Sequence, residues 1–256
     1  MRRAGIVVIA RTALVTGGSA GIGLATAARL LADGYAVVIT GRDGGRLAAA
    51  TESLGSPAAL SCVVLDALDH DATVERVAEL KPDVLVANVG TAFAGDLAHT
   101  SLDAWHRVLS TNVTSAFAAL QACVPHMKER GWGRIVTVGS LASHRPIRFG
   151  VAYTASKHAL WGLTRAVALD LRGTGVTANL VAPAFVRTGM TEANVATISA
   201  ASSRSAAEVE QRLAGLSDLG RLLEPREVAD EVAAFVADGS RSGEIRVMGD
   251  SARMSQ

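Results

Sequence analysis

The chain has 256 residues, 49% hydrophobic and 19% charged, with 25 Lys+Arg against 24 Asp+Glu and a formal net charge of +1. A single core accommodates this length, and a composition this apolar is not that of a disordered tail. The charge balance excludes a strongly basic nucleic-acid binder, and Arg, Asp or Gly interrupts every apolar run short of the ~20 residues a membrane span needs.

Met1-Arg2-Arg3 and the apolar stretch to Ala10 have the outline of a short signal sequence. Arg11 ends the apolar part and no small-residue cleavage site follows, so a cytoplasmic protein with an N-terminal extension is expected. Seven short β-branched runs come next, at 12–16, 36–40, 60–65, 84–87, 134–138, 176–181 and 244–247. They alternate with helical patterns near 21–33, 44–53, 71–80, 101–130, 151–172 and 225–237. Near-continuous apolar strands separated by helices imply an α/β fold: a doubly wound parallel seven-stranded sheet covered by helices on both faces. No repeat, charge block or Pro/Ser-rich linker marks a boundary, so 1–256 reads as one domain. The exception is 188–220, where the stretch 191–207 is rich in Ala, Ser and Thr; so long an excursion of small residues suggests a lid at about 188–215. Cys62 and Cys123 are too few for a disulfide framework and are expected to be buried, reduced thiols. The six histidines form no metal-binding pattern, and no metal site is expected.

Directly after the first strand comes Thr16-Gly17-Gly18-Ser19-Ala20-Gly21-Ile22-Gly23, leading into an apolar-periodic helix. Gly17 permits a sharp strand-to-helix turn, Gly21 lets backbone approach a pyrophosphate, and Gly23 lets helix and sheet pack closely. The N–H groups of Ser19, Ile22 and their neighbours then face an anion at the helix start. A P-loop would need Gly-Lys-Ser/Thr, and here Leu24-Ala25 follows Gly23. A glycine-rich turn without a ligand remains the plainer alternative. At the end of the second strand, where a dinucleotide fold tests the adenosine ribose, the residues are Thr40-Gly41-Arg42-Asp43. Gly41 takes the usual acidic place, and the Arg42 guanidinium suits a 2′-phosphate, which favours NADP(H) over NAD(H). The alternative is a solvated Arg beginning a helix.

The chain holds two tyrosines and three lysines. Tyr153 and Lys157 are four residues apart and share a helix face. A free phenol titrates near pH ~10, so acid–base work near neutrality needs an adjacent positive charge, which Lys157 supplies. An ordinary amphipathic helix carrying one Tyr and one Lys is the competing account.

Thr16-Gly-x-x-x-Gly21-Ile22-Gly23 after strand one, Asn88-Val89-Gly90 after strand four, Asn112, Ser140 after strand five, and Tyr153-x-x-x-Lys157 stand in this order. Together they resemble the short-chain dehydrogenase/reductase family over about residues 12–247, in a ketoreductase-like form on a Rossmann fold. The resemblance implies that Tyr153 protonates a carbonyl oxygen, or removes the alcohol proton in reverse, while Ser140 hydrogen-bonds the same oxygen. It implies that Lys157 holds the nicotinamide ribose and lowers the Tyr153 pKa, and that Asn112 anchors a water-linked proton path to Lys157. Asp66, Asn88, Gly90, Pro183, Val186 and Thr188 are implied to contact the cofactor. The implied substrate contacts are Ser140, Ala142, His144, Tyr153 and Ala184.

Several positions depart from the family pattern. Val89 and Ala184 stand where Ala and Gly are usual, Ala20 where NADP-preferring relatives often carry a basic residue, and 249–253 replaces the final Asp-Gly-Gly. The pocket wall at Leu141, Ala142, Val151, Ala184 and Phe185 is apolar. His144, Arg145 and Arg148 are placed to meet an anionic or carrier-bound substrate, with a solvated basic loop as the alternative. The expectation is an NADP(H)-dependent reductase of a ketone, of 3-oxoacyl or polyketide type, acting as a homo-oligomer (dimer or tetramer). The competing readings are an NAD-dependent alcohol dehydrogenase and a catalytically silent dinucleotide-binding regulator.

Overall fold

The computed structural model describes residues 11–200 and 202–250; the expected extension at 1–10 and the residues after Asp250 lie outside the described residues. Seven strands, β1 (Thr12–Val15), β2 (Ala36–Gly41), β3 (Leu60–Val64), β4 (Val84–Ala87), β5 (Gly133–Val138), β6 (Val176–Pro183) and β7 (Ile245–Met248), form one parallel sheet. Their order is β3-β2-β1-β4-β5-β6-β7. From β1 the chain winds outward to β3, then returns to β4 beside β1 and winds the other way. This is the doubly wound α/β arrangement that the alternation of runs implies.

Helices α1 (Gly21–Ala32), α2 (Gly44–Ser53), α3 (His70–Leu80), α4 (Leu102–Leu109), α5 (Ser115–Glu129), α6 (Val151–Asp170), α7 (Gly189–Ala200), α8 (Ala206–Gly215) and α9 (Pro225–Ala237) complete the described chain. The two-residue period of the strands divides the core between the faces of the sheet. Ala13, Val15, Ile39, Val86 and Val136 pack with Leu30 of α1 and Val232 and Phe235 of α9. Leu14, Val38, Leu85 and Ile135 point the other way, onto Val77, Leu120, Cys123 and Met127.

Three details differ from the sequence expectation. Strand β3 is not covered on both faces: Ser61, Cys62 and Val64 are exposed, because β3 is the edge of the sheet and only α2 packs over it. Cys62 is therefore an exposed thiol, hydrogen-bonded to Thr51 Oγ1 at 3.0 Å, and only Cys123 is buried. The pattern at 101–130 is not one continuous helix, since a π-helical turn, Ser110–Thr114, separates α4 from α5. The small-residue stretch after 188 folds as α7 and α8, which pack on each other through Val195, Val209, Leu213 and Leu222. Ala is the best helix former, and Ser205 caps α8 by accepting the Glu208 N–H, so this composition makes helices as readily as loop.

Candidate active site

In an open parallel sheet the crevice for a ligand opens beyond the carboxyl ends of the strands, where the winding reverses. Here that point lies between β1 and β4, and both the glycine turn and Asn88-Val89-Gly90 begin there. Gly17 and Gly21 adopt φ of 65° and 55°, a left-handed backbone that side-chain-bearing residues rarely take. A Cβ on Gly23 would lie 2.3 Å from the Gly17 carbonyl oxygen, so the turn closes onto its own helix only with glycine there. Ala20 gives α1 no side-chain cap, and the first turn carries no acidic residue. The helix start therefore presents main-chain N–H groups and the positive end of its dipole, which suits a phosphate.

Asn88 locks this cradle to β4. Its Nδ2 donates to the Thr16 and Gly17 carbonyls at 3.0 and 3.1 Å, and its N–H donates to Thr16 Oγ1 at 3.1 Å. Gly18 N–H donates to the Thr40 carbonyl at 2.9 Å, bringing the end of β2 alongside. A Cβ on Gly41 would lie 3.4 Å from Ser19 Oγ, so Ser19 and the exposed Arg42 share one rim. The neighbouring Asp43 caps α2 by accepting the Arg46 N–H at 3.0 Å, and Arg42 beside it is exposed. Asp66 is exposed after β3, with Oδ1 accepting the Leu68 N–H. The Thr188 methyl would lie 3.1 Å from a Cβ on Gly21, so the loop after β6 reaches over the cradle. Pro183, at the end of β6, and Val186, within that loop, are buried.

The second group of residues gathers beside β5. Ser140 opens a single 3-10 turn, Leu141–Ser143, and its Oγ accepts the Ala142 N–H at 3.2 Å. The hydroxyl proton is left for another acceptor, and the Ser140 hydroxyl lies on the side of the Tyr153 phenol, whose titration it pulls down. Lys157 is buried, with Nζ donating to the Val138 carbonyl at 3.0 Å and lying 5.9 Å from the Tyr153 ring centre. A Cβ on Gly90 would lie 3.3 Å from Asn112 Oδ1 and 3.4 Å from Lys157 Nζ, so the loop after β4 meets both. Asn112, fully buried in the π-helical turn, donates to the Thr91 carbonyl and Ser156 Oγ and accepts the Thr91 N–H at 2.7 Å. The structure thus brings Asn112, Ser140, Tyr153 and Lys157 together beside the glycine cradle.

The electrostatics of the group follow from burial. Against the expectation that Lys157 lowers it, the Tyr153 phenol is pushed above its ordinary value by loss of solvent, and it is Ser140, not Lys157, that pulls it part of the way back. The same desolvation pushes the Lys157 ammonium down to about 8. Lys157 therefore holds a proton that is readily given up.

Toward the substrate side, Ala142 is fully buried, Ala184 is half-buried and His144 is exposed. Arg145 lies 3.0 Å from Asp250 instead of reaching outward, and Arg148 stacks over the exposed Phe149 ring at 4.7 Å. An open groove of about 530 Å³ runs from Gly21 along Leu24 and Ala28 of α1 to Thr188 and Glu192, and Tyr153 does not line it. A smaller cavity of about 260 Å³ sits between α7 and α8.

Sequence reasoning missed Thr91, the Val138 carbonyl and Ser156. Ser156 Oγ donates to the Tyr153 carbonyl at 2.7 Å and accepts from Asn112, so it ties the two together from inside the Tyr153–Lys157 spacing. That position was the available signal. Thr91 and Val138 act through main-chain atoms, which leave no mark on residue type.

Among the described residues no cluster of metal-ligating side chains occurs, and no helix is long and apolar enough to cross a membrane. Residues 11–199 match the family model for short chain dehydrogenases. The chain is 36% identical over 236 residues to a ketoacyl reductase assigned to the granaticin polyketide synthase of Streptomyces violaceoruber, covering 88% of this chain and 86% of that protein. It is 34% identical over 190 residues to the 3-oxoacyl-[acyl-carrier-protein] reductase of Mycobacterium tuberculosis, covering 72% and 73%. Among solved structures, a variant of the actinorhodin polyketide ketoreductase with NADPH superposes with a TM-score of 0.88 at 30% identity, covering 94% of this chain and 96% of the other. Fold, crevice and matched sequence lead to one conclusion: the chain belongs to the short-chain dehydrogenase family, whose members are oxidoreductases acting on carbonyl and alcohol groups.

Proposed function

We propose that the protein is an NADP(H)-dependent ketoreductase that reduces a 3-oxoacyl or polyketide-type ketone to a secondary alcohol. The observation that carries this reading is the buried Tyr153 phenol, with Ser140 and Lys157 gathered around it beside a glycine cradle rimmed by Arg42. The cradle fits a dinucleotide: its glycines leave no room for side chains, and its helix start is uncapped. Gly17, Ser19, Gly21, Ile22 and Gly23 would hold the pyrophosphate, Asp66 and Arg42 the adenosine end, and Gly90, Pro183, Val186 and Thr188 the nicotinamide end. When bound, the nicotinamide supplies the hydride.

The protein's own part is orientation and proton supply. Ser140 and Tyr153 both donate to the carbonyl oxygen, so charge building there meets two fixed hydrogen bonds. Tyr153 then gives up its phenolic proton, and Lys157 stabilises the phenolate because its ammonium lies against the Tyr153 ring. Asn112 holds the loop after β4 against Lys157, and α7 and α8 serve as the lid that excludes water. Arg42 supports NADP(H) over NAD(H), as does the NADPH in the actinorhodin ketoreductase structure. The ketoacyl reductases among the relatives support the substrate class. Two free cysteines support a reducing, cytoplasmic compartment, and exposed Phe117 on α5 and Leu169 on α6 support a homo-oligomer.

Parallel titrations with NADPH and NADH test the cofactor. NADPH is expected to bind at least about tenfold tighter, a difference of ~1.4 kcal/mol, and Arg42→Ala is expected to abolish most of that margin. Equal or tighter NADH binding by the native chain would overturn the NADP(H) reading and favour an alcohol dehydrogenase. Tyr153→Phe is expected to keep NADPH affinity while turnover falls on the order of 10²-fold or more. Binding without turnover of any ketone by the native chain would point to a silent regulator.

A further inference from the structure

Asp250 and Arg145 have no part in the chemistry above, yet they join the catalytic turn to the far end of the sheet. Asp250 follows β7, and its side chain is only 4% exposed. Arg145 comes five residues after Ser140, and its Nε lies 3.0 Å from Asp250 Oδ2. The Arg145 N–H donates to the Leu141 carbonyl at 3.0 Å, so Arg145 belongs to the turn that Ser140 begins.

The Asp250 side of the pair is rigid. The Gly249 carbonyl accepts the Asp218 N–H at 3.1 Å, and the Met248 carbonyl accepts the Ala184 N–H at 2.9 Å. A Cβ on Gly249 would lie 3.0 Å from Ala184 Cβ, so this end of β7 is packed against the loop after β6. On the other side, residues 144–149 are all exposed; the Ile147 N–H donates to Thr154 Oγ1 at 3.3 Å and the Phe149 carbonyl accepts the Gly95 N–H at 2.7 Å, which leaves 144–146, next to Ser140, without side-chain packing of that kind. A carboxylate withdrawn from water strongly favours keeping a cation as close as the Arg145 guanidinium. The segment that carries the Ser140 hydroxyl is thereby tied to a fixed point.

We propose that the Arg145–Asp250 pair is a strut that sets the Ser140 hydroxyl against Tyr153, making both members positioning residues for carbonyl reduction. This rests on the ketoreductase reading. It also withdraws Arg145 from the cations open to an anionic substrate and leaves His144 and Arg148 in that role.

The test uses the full chain, with Asp250→Asn, Arg145→Met and the exchanged pair Arg145→Asp/Asp250→Arg. Reduction of an acetoacetyl thioester by NADPH, NADPH titration, and amide hydrogen exchange over 140–148 are measured on each. Each single variant is expected to lower kcat about tenfold with KM and NADPH Kd within about twofold of native, and the exchanged pair to recover at least about threefold. Asp250→Asn is expected to speed exchange at 141–148 and leave 16–23 unchanged. The strut is overturned if kcat and exchange in the single variants match the native protein. It is equally overturned if kcat, Kd and exchange throughout the chain deteriorate together, the mark of general destabilisation. Should the native chain leave the thioester unreduced, the substrate reading fails by itself, and the exchange at 141–148 decides the strut.

Discussion

Lys157 sits in the core with its ammonium on a main-chain carbonyl, and burial alone pushes its titration down to about 8 from 10.5. Below pH 8 the folded protein carries that charge at a cost; between 8 and 10.5 the unfolded chain holds the proton more often than the folded one. Stability from this group therefore rises with pH across that window. In nucleotide-free protein, native stability relative to Lys157→Met is expected to increase by about 2 kcal/mol from pH 8 to 10, measured by urea unfolding. A flat difference would mean that the ammonium is better solvated than its surroundings imply. Gly23 gives a second expectation at this scale. Gly23→Ala drives a methyl into the Gly17 carbonyl and opens the cradle, so NADPH affinity should fall at least about tenfold in the same titration. Both residues were legible from the sequence, because each is chosen for an intrinsic property: no side chain, or a shareable proton. The direction of the Tyr153 shift was not, since it depends on how much solvent the fold removes.

At the scale of elements, the π-helical turn between α4 and α5 matters most. It seats Asn112 among Thr91 and Ser156, so the loop after β4, the turn and α6 meet at one carboxamide. Asn112→Ala leaves those buried groups without partners and is expected to cost about 2–3 kcal/mol in urea unfolding. Activity should fall as well, because the loop carrying Gly90 loses its hold beside Lys157. The turn escaped the apolar pattern at 101–130, since one wider turn leaves residue types and the helical period on either side unchanged. The stretch after 188 escaped for the opposite reason. Its Ala, Ser and Thr carry little periodic signal, and the two helices are defined by the Ser205 cap and by contacts between themselves.

Across the whole molecule, alternation of strand and helix runs made the doubly wound parallel sheet legible before its structure, while the strand order came only with the structure. Coverage at the edge was not legible, because it depends on which strand ends up outermost. The Arg145 contact was hidden for a similar reason, its partner lying more than a hundred residues away in sequence. Exposed Phe117 and Leu169 make assembly a property to measure. Sedimentation is expected to give a multiple of the 26.3 kDa chain mass, and Phe117→Asp to reduce it.

The uncovered edge strand has a practical use. Its Cys62 is within reach of a thiol reagent, whereas Cys123 is shut inside the core with its thiol pushed up to about 12. The native chain should thus consume one equivalent of a disulfide dye quickly, and the second only as molecules open. Reagent uptake becomes a clock for unfolding, and a fluorophore attached at Cys62 reports motion of the adenosine side without touching the catalytic group.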